Sequence, residues 1–295
     1  MLMACEPVIR QADVVKNDMR APANPLITIA PLHMFRILMN EKAVSKTPET
    51  KIIYDFSEDK DISRWHLEGN GELKLTEEGF FQINTFRISG TQKATNVWLA
   101  DLILPDHFEI EIDFMSRSEN GNTMIIFNAQ PFELNDLFDD PRIDAVYSDL
   151  ASKRKMQAYT VGFHRAAYNN PSNLRKIGGK VPEYWGDAPY PTPAWQEMDS
   201  ITILSSKTEP LTPAEKGKIH HFKLQKNGNH IKFWVNDKLV HDYTDRLQYP
   251  YCDQVLMNGR IGFRNFGGPA EDFYSKILIK AYNLPPFEKN ITFVR

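Results

Sequence analysis

The segment from residue 219 to residue 243 constrains the fold of this chain more than any other. Apolar residues alternate with polar ones on both sides of Asn227-Gly228: Phe222 and Leu224 before it, and Ile231, Phe233 and Val235 after it. Asn-Gly between two alternating runs is the strongest short signal for a β-hairpin, because both turn residues must accept positive φ. Asn236-Asp237 predicts a second turn, so the segment is expected to form three antiparallel strands.

Further strands are predicted from residue 52 onward. His107 to Phe114 alternates between apolar and acidic residues, which is typical of a half-buried antiparallel strand. Thr123 to Asn128 is nearly continuously apolar and predicts a central strand, while Gly259 to Phe266 and Phe273 to Tyr282 complete the series. Many short strands without a long amphipathic helix predict an all-β fold, a two-sheet antiparallel β-sandwich with long loops.

The length of the chain limits the number of domains, and its net charge limits the classes of partner. The 295 residues are 42% hydrophobic, and sandwiches of this size often form one domain, so we expect one domain over residues 51–295. Residues 1–50 are expected to be an N-terminal leader, or tether, with an apolar packing arm. The net charge of -3 provides no field for a polyanion, so nucleic acid is not expected as a partner.

The two cysteines, Cys5 and Cys252, are too few for a zinc framework or a disulfide scaffold. Leu2-Met3-Ala4-Cys5 resembles a bacterial lipobox, in which the cysteine is lipidated. We therefore expect an exported protein, a periplasmic or outer-membrane lipoprotein, whose contact with a membrane is a lipid anchor at Cys5. Neither a cofactor nor a metal site is predicted, and a structural calcium ion, which such folds often carry, cannot be placed from the sequence.

The stretch from Gln157 to Asp187 is unusually rich in rings, cations and amides for a connection between strands. Such groups suit a sugar acid: aromatic faces pack on the ring, amides bind hydroxyls, and a guanidinium binds a carboxylate. An anionic oligosaccharide or polysaccharide is therefore the expected partner. A long solvated loop with structural side chains is the alternative interpretation of the same stretch.

The series of strands, with Gly-Arg-Ile-Gly-Phe-Arg after the hairpins, resembles concanavalin-A-like jelly rolls. Residues 52–282 show a narrower likeness, carried by Asn96-Val97-Trp98-Leu99, Tyr159, His164-Arg165 and Asn173-Leu174-Arg175-Lys176. These motifs are similar to those of the YesU-like family, found in bacterial gene clusters for pectic and other uronate-containing polysaccharides. The resemblance implies a jelly-roll fold and a substrate that contains uronic acid.

Elimination on a uronic acid needs a group that neutralises the carboxylate, a base for the C5 proton and an acid for the oxygen that leaves C4. We predict Arg175 for the first task, and Tyr159 with His164 for the proton transfers. The predicted function is thus a carbon–oxygen lyase or dehydratase that acts by β-elimination. The substrate-binding residues predicted with them are Arg165, Tyr168, Asn170, Asn173, Lys176, Tyr184 and Trp185.

Two alternatives remain open at this point. A glycoside hydrolase needs two carboxyl groups beside the scissile bond, and Glu109, Glu111 and Asp113 share one strand face. A non-catalytic carbohydrate-binding lipoprotein would need the aromatic and amide groups without any acid or base.

Overall fold

The protein folds into a sandwich of two antiparallel β-sheets, as the sequence predicts. The computed structural model describes residues 49–58, 60–86, 94–118, 122–139, 155–164, 172–185, 192–207, 215–266 and 270–282. Its strands are β1 (Glu49–Asp55), β2 (Trp65–Gly69), β3 (Gly71–Leu75), β4 (Phe81–Thr85), β5 (Ala94–Leu104), β6 (His107–Ser116), β7 (Asn122–Pro131), β8 (Met156–His164), β9 (Ser172–Gly178), β10 (Ile203–Lys207), β11 (Ile219–Asn227), β12 (His230–Val235), β13 (Lys238–Thr244), β14 (Gly259–Phe266) and β15 (Ala270–Tyr282).

In the first sheet the strand order is β13-β12-β11-β6-β15-β4-β3, and β1 also pairs with β15. In the second sheet the order is β10-β9-β8-β7-β14-β5-β2. The apolar segment predicted as a central strand is β7, which lies in the middle of the second sheet.

Alternation decides which side chains face the interior. Along β6 every second residue is buried, and the buried set includes Phe108, Ile110, Ile112 and Phe114. Residues with the same period on the second sheet, such as Val97, Phe127 and Phe263, meet them in one core between the sheets. Successive strand residues point to opposite faces, so each sheet also presents an outer face.

The predicted meander is present, with one shift. Asn236 and Asp237 have φ of 49° and 62° and join β12 to β13, as expected. Between β11 and β12, however, Asn227 still pairs with His230, so the two-residue turn is formed by Gly228 and Asn229. The turn lies one residue later than predicted because the ladder continues through Asn227.

A short helix, α1 (Pro193–Thr202), was not predicted from the sequence. The Thr192 hydroxyl accepts a hydrogen bond from the backbone N–H of Trp195, and Pro193 occupies the first turn, where a missing N–H costs nothing. Threonine followed by proline is a helix-start signal that could have located it. The helix covers part of the outer face of the second sheet, where a smaller core contains Trp98, Ile126, Ala158, Ile177, Trp185 and Met198.

Some predictions fall outside the described residues: the N-terminal segment 1–48 with Cys5, and the site candidates Arg165, Tyr168 and Asn170. The leader, the lipid anchor and the roles of these three residues therefore stay predictions. Within the described ranges, no helix is long and apolar enough to cross a membrane.

Candidate functional site

Tyr159 does not open into a cleft, contrary to the prediction. Its side chain is fully buried between the sheets, where its ring stacks on Phe127 and its hydroxyl donates a hydrogen bond to Asp245. Burial, and then the contact with the Asp245 carboxylate, raise the pKa of Tyr159. A phenol with a raised pKa in the core is unsuited to take a proton from a substrate, so the catalytic assignment is corrected.

Lys176 belongs to the same interior cluster and is not a substrate-binding residue. Its ammonium donates to Asp245 Oδ2 at 2.8 Å and to the backbone oxygen of Gln254 at 2.7 Å. Both charged side chains of the ion pair are fully buried. The sequence prediction failed for Lys176 because a lysine in a strand gives no sign that an aspartate 69 residues later will meet it.

Arg175 points away from the core, but its guanidinium is engaged by α1. Nη2 lies 2.8 Å from Asp199 Oδ1, and Nη1 donates to the Asp199 backbone oxygen and to Thr202 Oγ1. The fork that was expected to bind a substrate carboxylate therefore holds the last turn of the helix. The catalytic role of Arg175 stays a prediction.

Trp185 and Tyr184, both predicted to bind sugar, differ in their exposure to solvent. Trp185 belongs to the smaller apolar core and packs edge-on against Tyr251, so it is a core residue and not an exposed sugar platform, and that prediction is corrected. Tyr184 is 53% exposed, and its hydroxyl donates to Glu197. Its role in sugar binding stays a prediction.

His164 is the last residue of β8 and the register partner of Asn122. The side chain of His164 lies outside the described part of the structure, and its catalytic role stays a prediction. The partner expected for it, Tyr159, faces the core, so the proposed pair of proton-transfer groups is not formed.

The carboxylates of the hydrolase alternative lie on the outer face of the first sheet and are all in contact with basic side chains. Glu109 contacts Lys223 and Lys280, Glu111 contacts Lys280, and Asp113 contacts His221. Burial acts to raise the pKa of Glu109, but the hydrogen bonds from the two lysines outweigh it and lower the pKa to about 2. A general acid needs a proton near neutral pH, which this network opposes.

Instead, the strand registers bring together a line of polar residues on the outer face of the second sheet. Glu68 pairs with Asn96, and Asn96 pairs with Arg264. Across six neighbouring strands the line runs Glu68, Asn96, Arg264, Met124, Gly162 and Asn173. The residues beside them in sequence, among them Val97, Phe263 and Leu174, face the core. We call Glu68, Asn96, Arg264 and Asn173 the polar row.

The polar row is buried, yet some of its oxygen atoms are unsatisfied. Within the described residues, Asn96 Oδ1 and Asn173 Oδ1 are buried without a hydrogen-bond partner, as is Thr160 Oγ1 on the neighbouring line. Leaving such a group unpaired costs about 1–3 kcal/mol, so buried polar atoms are nearly always satisfied. Three such oxygen atoms lie on two neighbouring lines of this sheet face, where the hydroxyl groups of a ligand would satisfy them.

Three further contacts shape this surface. Trp98 Nε1 donates to Glu68 Oε2 at 2.8 Å and fixes one oxygen of that carboxylate. The Asn122 amide lies above Gly162, since a Cβ at residue 162 would be 3.1 Å from Asn122 Oδ1. Glycine therefore makes room for a further amide beside the row. The Arg264 guanidinium is fully buried, with Cζ 4.8 Å from the centre of the Phe266 ring.

Of the predicted site residues, the structure places Asn173 in the polar row. Sequence reasoning missed Glu68 and Arg264, and it noted Asn96 merely as part of a family motif. One signal was present: in Asn96-Val97-Trp98-Leu99 and in residues 259–266, the polar residues occupy the positions between core residues.

A family model, described as the 3-keto-alpha-glucoside-1,2-lyase-like domain, matches residues 53–280 of the chain. The chain belongs to this family. The 3-keto-glucoside-lyase-like domain thus spans both sheets and includes all four residues of the polar row. Membership identifies a carbohydrate-active domain with a jelly-roll fold.

Solved structures share the fold of this lyase-like domain. A Bacillus subtilis protein of unknown function with a galectin-like fold is 18% identical, with a TM-score of 0.61, and the match covers 79% of this chain and 96% of that one. The VIP36 exoplasmic/lumenal domain in its Ca²⁺/Man-bound form is 11% identical, with a TM-score of 0.50 over 83% and 97% of the two chains. Such low identities establish the fold alone. A search of the curated proteins found no match.

Proposed function

We propose that this protein is a carbon–oxygen lyase that cleaves a glycoside by β-elimination beside a carbonyl group, with the polar row as its site. Two observations support the proposal: the family match and the unsatisfied amide oxygens of Asn96 and Asn173. Sugar hydroxyls are donors that would satisfy these oxygens. The unsatisfied oxygens are the single structural observation on which the location of the site depends.

The family description defines a coherent reaction. A ketone at C3 acidifies the proton on C2, because the charge left on C2 delocalises onto the ketone oxygen. The C2–H bond breaks and a C3 enolate forms. The enolate then returns its electrons, a C1–C2 double bond forms, and the C1–O bond breaks, with the departing oxygen taking a proton. The step needs a base, a stabiliser for the enolate oxygen and a proton donor for the leaving group.

Elimination on a uronic acid, the substrate predicted from the sequence, follows the same logic with the C6 carboxylate in place of the ketone. The buried Arg264 guanidinium in the row is the observation that favours it, since a cation suits a carboxylate. However, Arg175, which was predicted to bind that carboxylate, is ion-paired with Asp199, and Lys176, predicted as a substrate-binding residue, is ion-paired with Asp245. We therefore propose a keto-glycoside as the first substrate class and a uronate, with the YesU-like relationship, as the second.

Incubation with three substrate sets tests the proposal: 3-keto-α-glucosides, uronate oligosaccharides, and the corresponding unmodified glucosides. A lyase produces an unsaturated sugar that absorbs in the ultraviolet and releases the aglycone without adding water. A hydrolase produces new reducing ends without that absorbance. Calorimetric binding without any product would identify a sugar-binding module and contradict the proposal.

Two expectations from the sequence remain part of the proposal. We propose export as a lipoprotein through Cys5, which labelling of cells with a radioactive fatty acid tests when the wild-type chain is compared with Cys5→Ala. We also propose that turnover needs no added cofactor. A dialysis against a chelator that abolishes activity, followed by recovery with a metal ion, would contradict this.

A further inference from the structure

Glu68 is held in one orientation by a rigid neighbour. Its Oε2 accepts the hydrogen bond from Trp98 Nε1, and the indole is itself fully buried against Gly262. A Cβ at residue 262 would lie 2.6 Å from Trp98 Cε3, so the ring is packed directly on the backbone of β14. A carboxylate tied to an immobile ring presents its second oxygen in a defined direction.

The charges of the row are separated in a way that suits an enolate. Glu68 and Arg264 lie on β2 and β14, with Asn96 on β5 between them. Neighbouring strands are about 4.8 Å apart, so their Cα atoms are separated by about 10 Å. A carbonyl sugar above Asn96 would therefore have an anion on one side and a cation on the other.

We propose that Glu68 is the base that removes the proton next to the carbonyl, that Arg264 stabilises the enolate oxygen, and that Trp98 is the positioning residue for Glu68. This assignment rests on the proposed lyase function. On a 3-keto-glucoside, the Glu68 carboxylate takes the C2 proton as the C2–H electrons move into the enolate. Loss of the C1 oxygen with its electron pair then regenerates the ketone, and no oxidant or reductant is needed.

A purely structural role for Glu68 predicts a different result from a role as the base. One substitution distinguishes the two roles. In Glu68→Gln the amide oxygen still accepts the hydrogen bond from Trp98, but the side chain cannot act as a base near neutral pH. We expect a kcat at least roughly 100-fold lower, with KM within about twofold and an unchanged melting temperature. The same variant should lose the exchange of the substrate C2 proton for solvent deuterium. The matched control is Glu72→Gln on the first sheet.

The positioning role is tested with Trp98→Phe, which removes the N–H and keeps an aromatic ring. We expect kcat to fall roughly tenfold in the wild-type background and to fall no further in the Glu68→Gln background, since residues that act as a unit are not additive. Equal losses in both backgrounds would show that Trp98 acts by packing alone and would overturn its assignment.

The outcomes separate this assignment from the proposed function. If the wild-type protein eliminates a 3-keto-glucoside and Glu68→Gln retains both turnover and deuterium exchange, the assignment of the base is wrong and the lyase function stands. If the wild-type protein neither eliminates nor exchanges protons on any keto-glucoside or uronate, the function and the assignment both fail.

Discussion

The ammonium of Lys176 lies 2.8 Å from Asp245 Oδ2 in the interior of the sandwich, where both side chains are fully buried. Tyr159 donates to the same carboxylate. Burial acts to raise the pKa of Asp245, but the hydrogen bonds from Lys176 and Tyr159 outweigh it and lower the pKa. Part of the residue set that resembled an active site in the sequence is thus an internal charge network.

Lys176→Met should destabilise the protein strongly, because it leaves the Asp245 carboxylate buried without its cation. Loss of one partner of a buried pair costs roughly 3–5 kcal/mol. Denaturant unfolding measures the loss, with the exposed Lys180→Met as control, which should change stability by less than about 0.5 kcal/mol. Equal stabilities for the two variants would contradict a structural role for the pair.

Arg175→Ala should lower stability and leave the saturated rate nearly unchanged. Asp199 and Thr202 lose three contacts with the guanidinium, a cost of about 1–3 kcal/mol. Arg175→Lys should recover part of this loss, since an ammonium can still pair with Asp199 but cannot make all three contacts. Abolished turnover at unchanged stability would instead support the carboxylate-binding role predicted from the sequence.

Lys226→Met should stabilise the protein at neutral pH. Lys226 is 1% exposed and its ammonium has no hydrogen-bond partner among the described residues. Burial, opposed by Asp106 and Asp245, lowers its pKa to about 8. The unfolded chain therefore binds more protons between pH 8 and about 10.4, so the wild-type stability gains up to roughly 3 kcal/mol from this lysine as the pH rises through that window.

The Lys226→Met variant has no ionisable side chain at residue 226. Its stability should exceed that of the wild type at pH 7, and the difference should shrink between pH 8 and pH 10. Denaturant unfolding at three pH values measures this, with Lys232→Met, a partly exposed lysine on the next strand, as control. A difference that is constant with pH would show that the amine titrates normally.

His241→Gln should make the protein less sensitive to mild acid. The imidazole is fully buried and lies 2.9 Å from Ser172 Oγ and 3.0 Å from Ser205 Oγ. Burial, and then repulsion from Lys207, lower its pKa to about 4. Between pH 6.5 and pH 4 the unfolded chain binds a proton that the folded protein does not, so wild-type stability falls as the pH falls through this window.

Thermal unfolding of both proteins between pH 7 and pH 4 measures this effect. The glutamine variant should start lower at pH 7, by about 1–2 kcal/mol, since two buried serine contacts are disturbed. Its decline with acid should be shallower than that of the wild type. His230→Gln, at an exposed histidine, is the control and should decline as the wild type does.

Asn96→Ala and Asn173→Ala should weaken substrate binding without loss of stability. Each removes a buried amide oxygen that has no partner among the described residues, so folding loses little. Each also removes a hydrogen bond to the sugar worth about 1 kcal/mol, so KM should rise roughly fivefold. Asn227→Ala on the first sheet is the control. A loss of stability with unchanged KM would mean that the row is part of the core.

Much of the fold follows from local patterns. The alternation in β6 predicted its buried face, and the turn at Asn236 and Asp237 was predicted from residue type because it needs positive φ. Patterns of this kind depend on neighbours within a few residues, so they can be recognised in a single sequence. They were sufficient for a two-sheet sandwich.

The residues of the site could not be predicted from local patterns in the same way. In β8 both alternating sets are buried, and the hydroxyl of Tyr159 on the core side is satisfied by Asp245, which lies 86 residues later in the chain. Arg175 likewise became a helix contact because α1 folds back over β9. The polar row joins residues 68, 96, 173 and 264 through strand registers. The sequence by itself determined the strands and their turns, because those depend on local geometry, whereas the tertiary structure decided which face of each strand meets water, sugar or core, because that depends on partners far away in the chain.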